Sequence, residues 1–288
     1  MNHKVAINFF NKCRVQDWKY NPETQCYDVN QDLIAYYQDL KKIPIPLGNI
    51  KGSVNFSNNQ LNSFENFPKF ISKESLDISS NKFELIDGAF KIEKLTSLDS
   101  SNNPIQQLPK NIDIYSLSLE NCYIDDKKIS GTCFKIGRRI IMNNNLLTQF
   151  DFSQIIPSRN DMFINLDNNK IETVFLKKDW NKFDLESLSL SLNRNKLSNI
   201  DFIKNFSLKI DSLSVDDNFI TNVDLLKDLN NISLISIFGN PIKANDFLSY
   251  FLFSDENKYI GSSIVINHKQ IKSQILEYSK TKVILENL

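Results

Sequence analysis

Histidine occurs only at His3 and His268, near the two ends of this 288-residue chain, so the body of the chain cannot supply a Ser-His-Asp or Cys-His arrangement. Its four cysteines, Cys13, Cys26, Cys122 and Cys133, form no Cys-x-x-Cys pair and show no zinc-ligand spacing. The adjacent carboxylates Asp125-Asp126 and Asp216-Asp217 lack the alternating order of a calcium loop. Neither a phosphate-cradling glycine loop nor His-Glu-x-x-His is found. The expectation is therefore a chain that is not an enzyme, with no catalytic residue, no metal site and no cofactor. The side chain that does recur at regular spacing is a carboxamide. Asn59, Asn81, Asn103, Cys122, Asn145, Asn169, Asn195, Asn218 and Asn240 succeed one another at 22, 22, 19, 23, 24, 26, 23 and 22 residues, and Gln38 stands 21 residues before the first. A carboxamide donates and accepts at once, so each can satisfy buried backbone groups of a neighbouring turn. Its chemistry is support.

Each of these residues closes one template, apolar-x-apolar-x-x-Asn-x-apolar, as in Leu76-x-Ile78-x-x-Asn81-x-Phe83 and Leu190-x-Leu192-x-x-Asn195-x-Leu197. Two apolar residues separated by one face the same side of a strand, because strand side chains alternate with period two. The amide then sits at the bend, and the next apolar residue turns back to the core. Shorter apolar sets, such as Phe64 and Phe67 or Leu225, Leu226 and Leu229, close the far wall. Self-similarity at this period predicts a solenoid, an α/β, β-rich one with a parallel sheet and about ten coils. Return segments are expected as helix, or as extended or 3₁₀ stretches where the repeat is short. A single coil is too small to bury a core of its own, so stacked neighbours form one cooperative unit.

Residues 1–30 lack the template but carry Phe9, Phe10, Val15, Trp18, Tyr20 and Tyr27, enough apolar surface to cap the first coil. The repeats are assigned to 31–244. Residues 245–288 are expected to form a C-terminal helical cap, with a helix opening at Asn245 to Phe253, a β-rich run at Ser262 to Ile266 and a final helix from about Lys269 to Leu285.

The template resembles that of leucine-rich repeat proteins, whose pattern admits Cys at the ladder position, as at Cys122. Trp18-Lys-Tyr20-Asn21, Leu40-Lys-Lys-Ile43-Pro44, Gly48-Asn-Ile-Lys51-Gly52-Ser53 and Ser57-Asn-Asn-Gln60-Leu61 are similar to the leucine-rich repeat proteins of bacteriophages and large DNA viruses. The resemblance implies a curved horseshoe with the parallel sheet on its concave side, and a non-catalytic scaffold that binds another protein there. A structural virion or assembly component is the alternative. A substrate-recognition arm of a multi-subunit ligase is a second one, since the catalytic Cys domain of repeat-bearing bacterial ubiquitin ligases has no room after residue 245.

Lysine plus arginine and aspartate plus glutamate each number 34, so a general attraction to nucleic acid or to an anionic membrane is not expected. The local basic run of Lys127, Lys128, Lys135, Arg138 and Arg139 lacks the interleaved aromatics of a nucleic-acid surface. Val5 to Phe10 is too short for a signal peptide, and no stretch reaches the length of a membrane helix. The expected location is cytoplasmic, in the host cytoplasm if the protein is viral, with association to the virion as the variant. Cys13 and Cys26 could pair as a cap disulfide, but buried reduced thiols are the favoured reading.

A partner is expected on the sheet face. Its outward positions include the carboxylates Asp77, Asp99, Glu120, Asp167 and Asp216, together with Phe238. In the middle coils Tyr115, Arg138, Arg139, Ile141, Met162 and Phe163 replace small polar residues with types that dominate interface energetics. For Tyr115, Arg138 and Met162, packing along the sheet edge is the competing expectation.

Overall fold

The computed structural model describes residues 3–176, 180–183, 185–206, 208–222 and 232–242, with the strand backbones of 263–266 and 283–285. The chain divides into two compact units, Met1–Ile141 and Met142–Leu288.

In the first unit the template segments become the parallel strands Leu33–Ile34, Val54–Asn55, Ser75–Asp77, Ser97–Asp99, Asn111–Ser118 and Cys133–Ile141. The register aligns the first apolar template position from coil to coil: Leu33, Val54, Leu76, Leu98, Leu117 and Ile140 stack in one buried row. Backbone amides of inward residues donate to the next coil, as Ala35 N does to Asn55 O at 2.8 Å, Phe56 N to Asp77 O at 2.8 Å and Ile78 N to Asp99 O at 2.8 Å. Each buried Leu or Ile side chain contributes about 1.5–3 kcal/mol, which no isolated coil could collect. Behind this row Phe56, Phe64, Phe67 and Phe83 pack ring against ring at 4.8 to 6.0 Å.

The first thirty residues form the α-helix His3–Lys12 and an antiparallel hairpin, Trp18–Asn21 with Cys26–Val29. Phe10 stacks on Trp18 at 4.8 Å and meets Tyr27 edge-on, while His3 Nδ1 lies 2.9 Å from the Tyr27 hydroxyl. The hairpin continues into a second, parallel pairing with Leu47–Ile50 and then Phe70–Ile71 on the return side of the coils. Cys13 and Cys26 are separate buried thiols, and burial pushes Cys13 up to about 11.

In the second unit the parallel strands are Asp161–Asn165, Ser187–Ser191, Ile210–Ser214, Ile232–Ser236, Ser263–Ile266 and Val283–Leu285. Ile164, Leu190, Leu213 and Ile235 repeat the buried row. Its far wall is aromatic. Trp180 lies against Phe152 and Phe206 at 5.6 and 5.5 Å, and its indole N–H donates to Phe152 O at 3.3 Å.

Both units are parallel-sheet β-solenoids, and coils of 19 to 26 residues leave room for only short return segments. Among the described residues the α-helices are His3–Lys12 and the single turn Asp126–Ile129. Return segments instead take 3₁₀ form at Ala89–Lys91, Phe152–Gln154, Trp180–Lys182 and Asp201–Asn205, or extended form at Gln149–Asp151 and Thr173–Phe175. Past the last template coil the chain adds parallel strands at Ser263–Ile266 and Val283–Leu285, so residues 283–285 are strand where helix to Leu285 is expected from the sequence. The remainder of the expected helical cap over 245–288 lies outside the described residues.

Candidate partner-binding face

The ladder amides set the geometry of the face. Asn81 Nδ2 donates to Phe56 O of the preceding coil at 2.9 Å and to Ile78 O of its own coil at 3.1 Å, while its Oδ1 accepts from Leu61 N at 2.9 Å. Asn59, Asn103, Asn169, Asn195, Asn218 and Asn240 repeat this bridge between coils. Asn145 Nδ2 donates to Met142 O at 2.9 Å within its own coil. At Cys122 a thiol takes the place of the amide donor: Sγ donates to Ser100 O, 3.3 Å away, and burial lifts the thiol to about 11.

The residue before each ladder position is left-handed in all ten coils, from Tyr37 at φ 53° through Asn58, Ser80, Asn102, Asn121, Asn144, Asn168, Arg194 and Asp217 to Gly239 at 70°. This bend lets the strand end abruptly and swings the amide inward. Asn and Asp tolerate the conformation, which explains the doubled Asn-Asn of the template. Where the ladder residue is not Asn, the residue after it is left-handed as well, at Asp39 after Gln38 and Tyr123 after Cys122.

The carboxylates expected to meet a partner belong to a second hydrogen-bonded row. Asp77 Oδ1 accepts the Ser79 amide at 2.9 Å and hydroxyl at 2.7 Å, and Asp99 Oδ1 accepts the Ser101 amide at 2.9 Å. In the second unit the carboxylates stand two residues later in the template, and their hydrogen bonds reach across coils. Asp167 Oδ1 accepts the Asn193 amide and the Ser191 hydroxyl at 2.7 Å, and Asp216 Oδ1 accepts the Phe238 amide at 2.7 Å and the Ser236 hydroxyl at 2.6 Å. These carboxylates thus hold the sheet as well as face outward. Burial raises Asp216, and it raises Asp99 too, with the charges of Asp77 and Glu120 adding to the effect and hydrogen bonds from Ser101 opposing it. Glu120 and Phe238 are half-buried at the same template position.

Of the middle-coil residues, Arg138 and Arg139 are exposed, Ile141 is half-buried and Tyr115 is exposed, all in the first unit. The strand Cys133–Ile141 carries one extra residue between Ile136 and Arg139, and this bulge turns Arg138 and Arg139 outward together. Tyr115 lies over Gly137, where an added Cβ would overlap the ring and come within 2.8 Å of the Tyr115 Cα. Phe163 is half-buried on its strand in the second unit, and Met162 beside it points into the core.

The acidic pairs have local explanations. Asp125 caps the turn Asp126–Ile129 by accepting the Lys128 amide at 2.9 Å, with Asp126 in the first turn, and Asp217 pairs with Arg194 at 3.4 Å. Among the described residues no group of His, Cys, Asp and Glu is arranged to hold a metal, and no helix is long and apolar enough to cross a membrane.

The exposed residues of the first coil escape a reading built on the middle coils. Ile34, Tyr36 and Tyr37 are large apolar side chains in solvent, one at an outward strand position and two at the bend. They belong to the run Leu33-Ile-Ala35-Tyr-Tyr37, directly before Gln38 at the ladder position.

No protein-family model matches the chain, and no curated protein matches it in sequence. Among solved structures, an internalin (inlF) from Listeria monocytogenes str. 4b F2365 is similar, with 15% identity over 83% of this chain and 80% of that one and a TM-score of 0.41. The coil architecture stands on this chain's own register and hydrogen bonds.

Proposed function

We propose that this chain is a non-catalytic scaffold that recognises another protein on the outward face of its parallel strands. The observation that carries the reading is the open face itself. Parallel sheets are ordinarily covered on both sides, yet here inward positions such as Leu76 and Leu190 are buried while outward ones such as Asp77 and Ser191 keep solvent access. Within each unit the hydrogen-bonded rows tie neighbouring coils together, which lowers the entropy cost of binding. In the first unit exposed Arg138, Arg139 and Tyr115 with half-buried Ile141, and in the second half-buried Phe163, supply side chains suited to anchoring contacts. The cytoplasm is the proposed compartment, supported by Cys13 and Cys26 standing as separate thiols in the cap.

Affinity capture from the source cell with wild-type bait and with an Arg139→Ala/Phe163→Ala bait tests this. The double variant should retain its fold and lose the partner, corresponding to a weakening of about 2 kcal/mol or more. Equal recovery on both baits places the contact elsewhere.

A further inference from the structure

Ile34 heads a register row that continues through Asn55 to Asp77 and Asp99. Ile34 is 37% exposed, Tyr36 51% and Tyr37 71%, and the two tyrosine rings meet edge to face at 5.6 Å. Tyr37 also holds the left-handed conformation, where eight of the other nine coils place Asn, Asp, Ser or Gly. Such a backbone penalises a bulky residue. Strain kept on a ring that stays largely in solvent points to a contact made with something outside the chain.

Two coils along, Asp77 and Asp99 stand opposite each other in register, like charges one strand spacing apart, about 4.8 Å. Lys73, two residues before the strand Ser75–Asp77, gives its ammonium to Asp32 at 2.9 Å. Apolar surface at one end of the row and, further along it, two like charges with no ion pair among the described residues together specify the complement.

We infer that the first unit's face takes an extended segment of the partner protein that crosses the strands, with an aromatic side chain seated on Ile34, Tyr36 and Tyr37 and lysine or arginine side chains over Asp77, Asp99 and Glu120. This deepens the scaffold reading and rests on it. Two strand steps from Ile34 to Asp77 span about 9.6 Å, and a polyproline II segment advances about 9.3 Å in three residues. A cation three residues past the aromatic anchor therefore reaches Asp77. One six residues past it reaches the Glu120 coil, four steps or about 19 Å away.

The test is fluorescence anisotropy of the purified full chain with a labelled nonapeptide carrying tryptophan at its second position, lysine at its fifth and eighth, and proline or serine elsewhere. Two counterpart peptides carry glutamate for lysine or alanine for tryptophan. The lysine peptide should bind at least tenfold tighter than either, and its affinity should fall as salt rises. Asp77→Asn/Asp99→Asn, which keeps the oxygen acceptors for Ser79 and Ser101, should bind it at least fivefold more weakly. Tyr37→Asn, at ease in the left-handed bend, should do the same without lowering Tm. Absence of binding, equal binding of the three peptides, or wild-type affinity in both variants overturns the inference. So does a self-associated dimer dispersed by Tyr36→Ala, which gives the patch to a second copy. If the peptides fail while capture still depends on the sheet face, the scaffold reading survives; if capture is also independent of the face, both fall.

Discussion

The Ile105 amide donates to the carbonyl of Asn103, 2.9 Å away in its own coil. In the coils before it, Leu61 and Phe83 give the equivalent amide to the ladder side chains Asn81 and Asn103 of the following coil. The following coil here carries Cys122, a thiol in place of the carboxamide oxygen. Ile242 makes the same inward turn, to Asn240 O at 2.9 Å, after the last template coil.

Restoring the acceptor should therefore help. Cys122→Asn is expected to raise stability by about 1 kcal/mol, whereas Asn169→Ala, which strands the Leu147 amide and leaves Met142 O and Leu166 O with one side-chain donor each, from Asn145 and Asn195, should cost about 1–3 kcal/mol. Urea melts measure both. A lowered midpoint for the first variant, or a negligible loss for the second, would count against the bridging role.

The left-handed bends are unequal in cost. Ser80→Gly should stabilise by about 0.5–1 kcal/mol, and Asn58→Gly by less, since Asn already tolerates φ near 55°. Thermal unfolding of the two variants side by side checks the ordering.

Ser100 places a hydroxyl with no hydrogen-bond partner in the core row otherwise held by Phe56, Ile78 and Leu119. Ser100→Ala removes that desolvated group and should stabilise the chain by about 1 kcal/mol. Unchanged or reduced stability would mean that the hydroxyl is satisfied in solution.

Asp99 carries a raised pKa, so the folded chain binds its proton more tightly than the unfolded chain does. Its contribution to stability is neutral below the unfolded value of 3.8, falls as pH rises through the folded value and stays unfavourable above it. Asp99→Asn should accordingly be more stable than wild type at neutral pH, by about 0.5 kcal/mol, with the difference vanishing in acid. A difference independent of pH would remove charge as its cause.

The coil architecture was legible because the ladder position has one chemical task, and a carboxamide performs it better than any other side chain. Asp125-Asp126 was also readable as a turn, since an acceptor before a short helix is a capping signal. The second row was visible only as acidity, although the spacing Asp77-x-Ser79 and Asp99-x-Ser101 already places an acceptor two residues before its donor. Residues 283–285 read as helix because an amphipathic period and a strand share the same short apolar run, and parallel pairing with Ser263–Ile266 decides between them. The first coil's aromatic patch stayed hidden for a different reason. Exposure of Tyr36 and Tyr37 depends on what the fold leaves uncovered, which residue type alone does not report.

The most direct test of the scaffold reading is site-specific photocrosslinking in the source cell, with a photoreactive residue placed at Asn55 on the outward face or at Lys69 on the return side. A covalent adduct with the partner is expected from position 55 and none from position 69. Crosslinking from position 69 alone would contradict it.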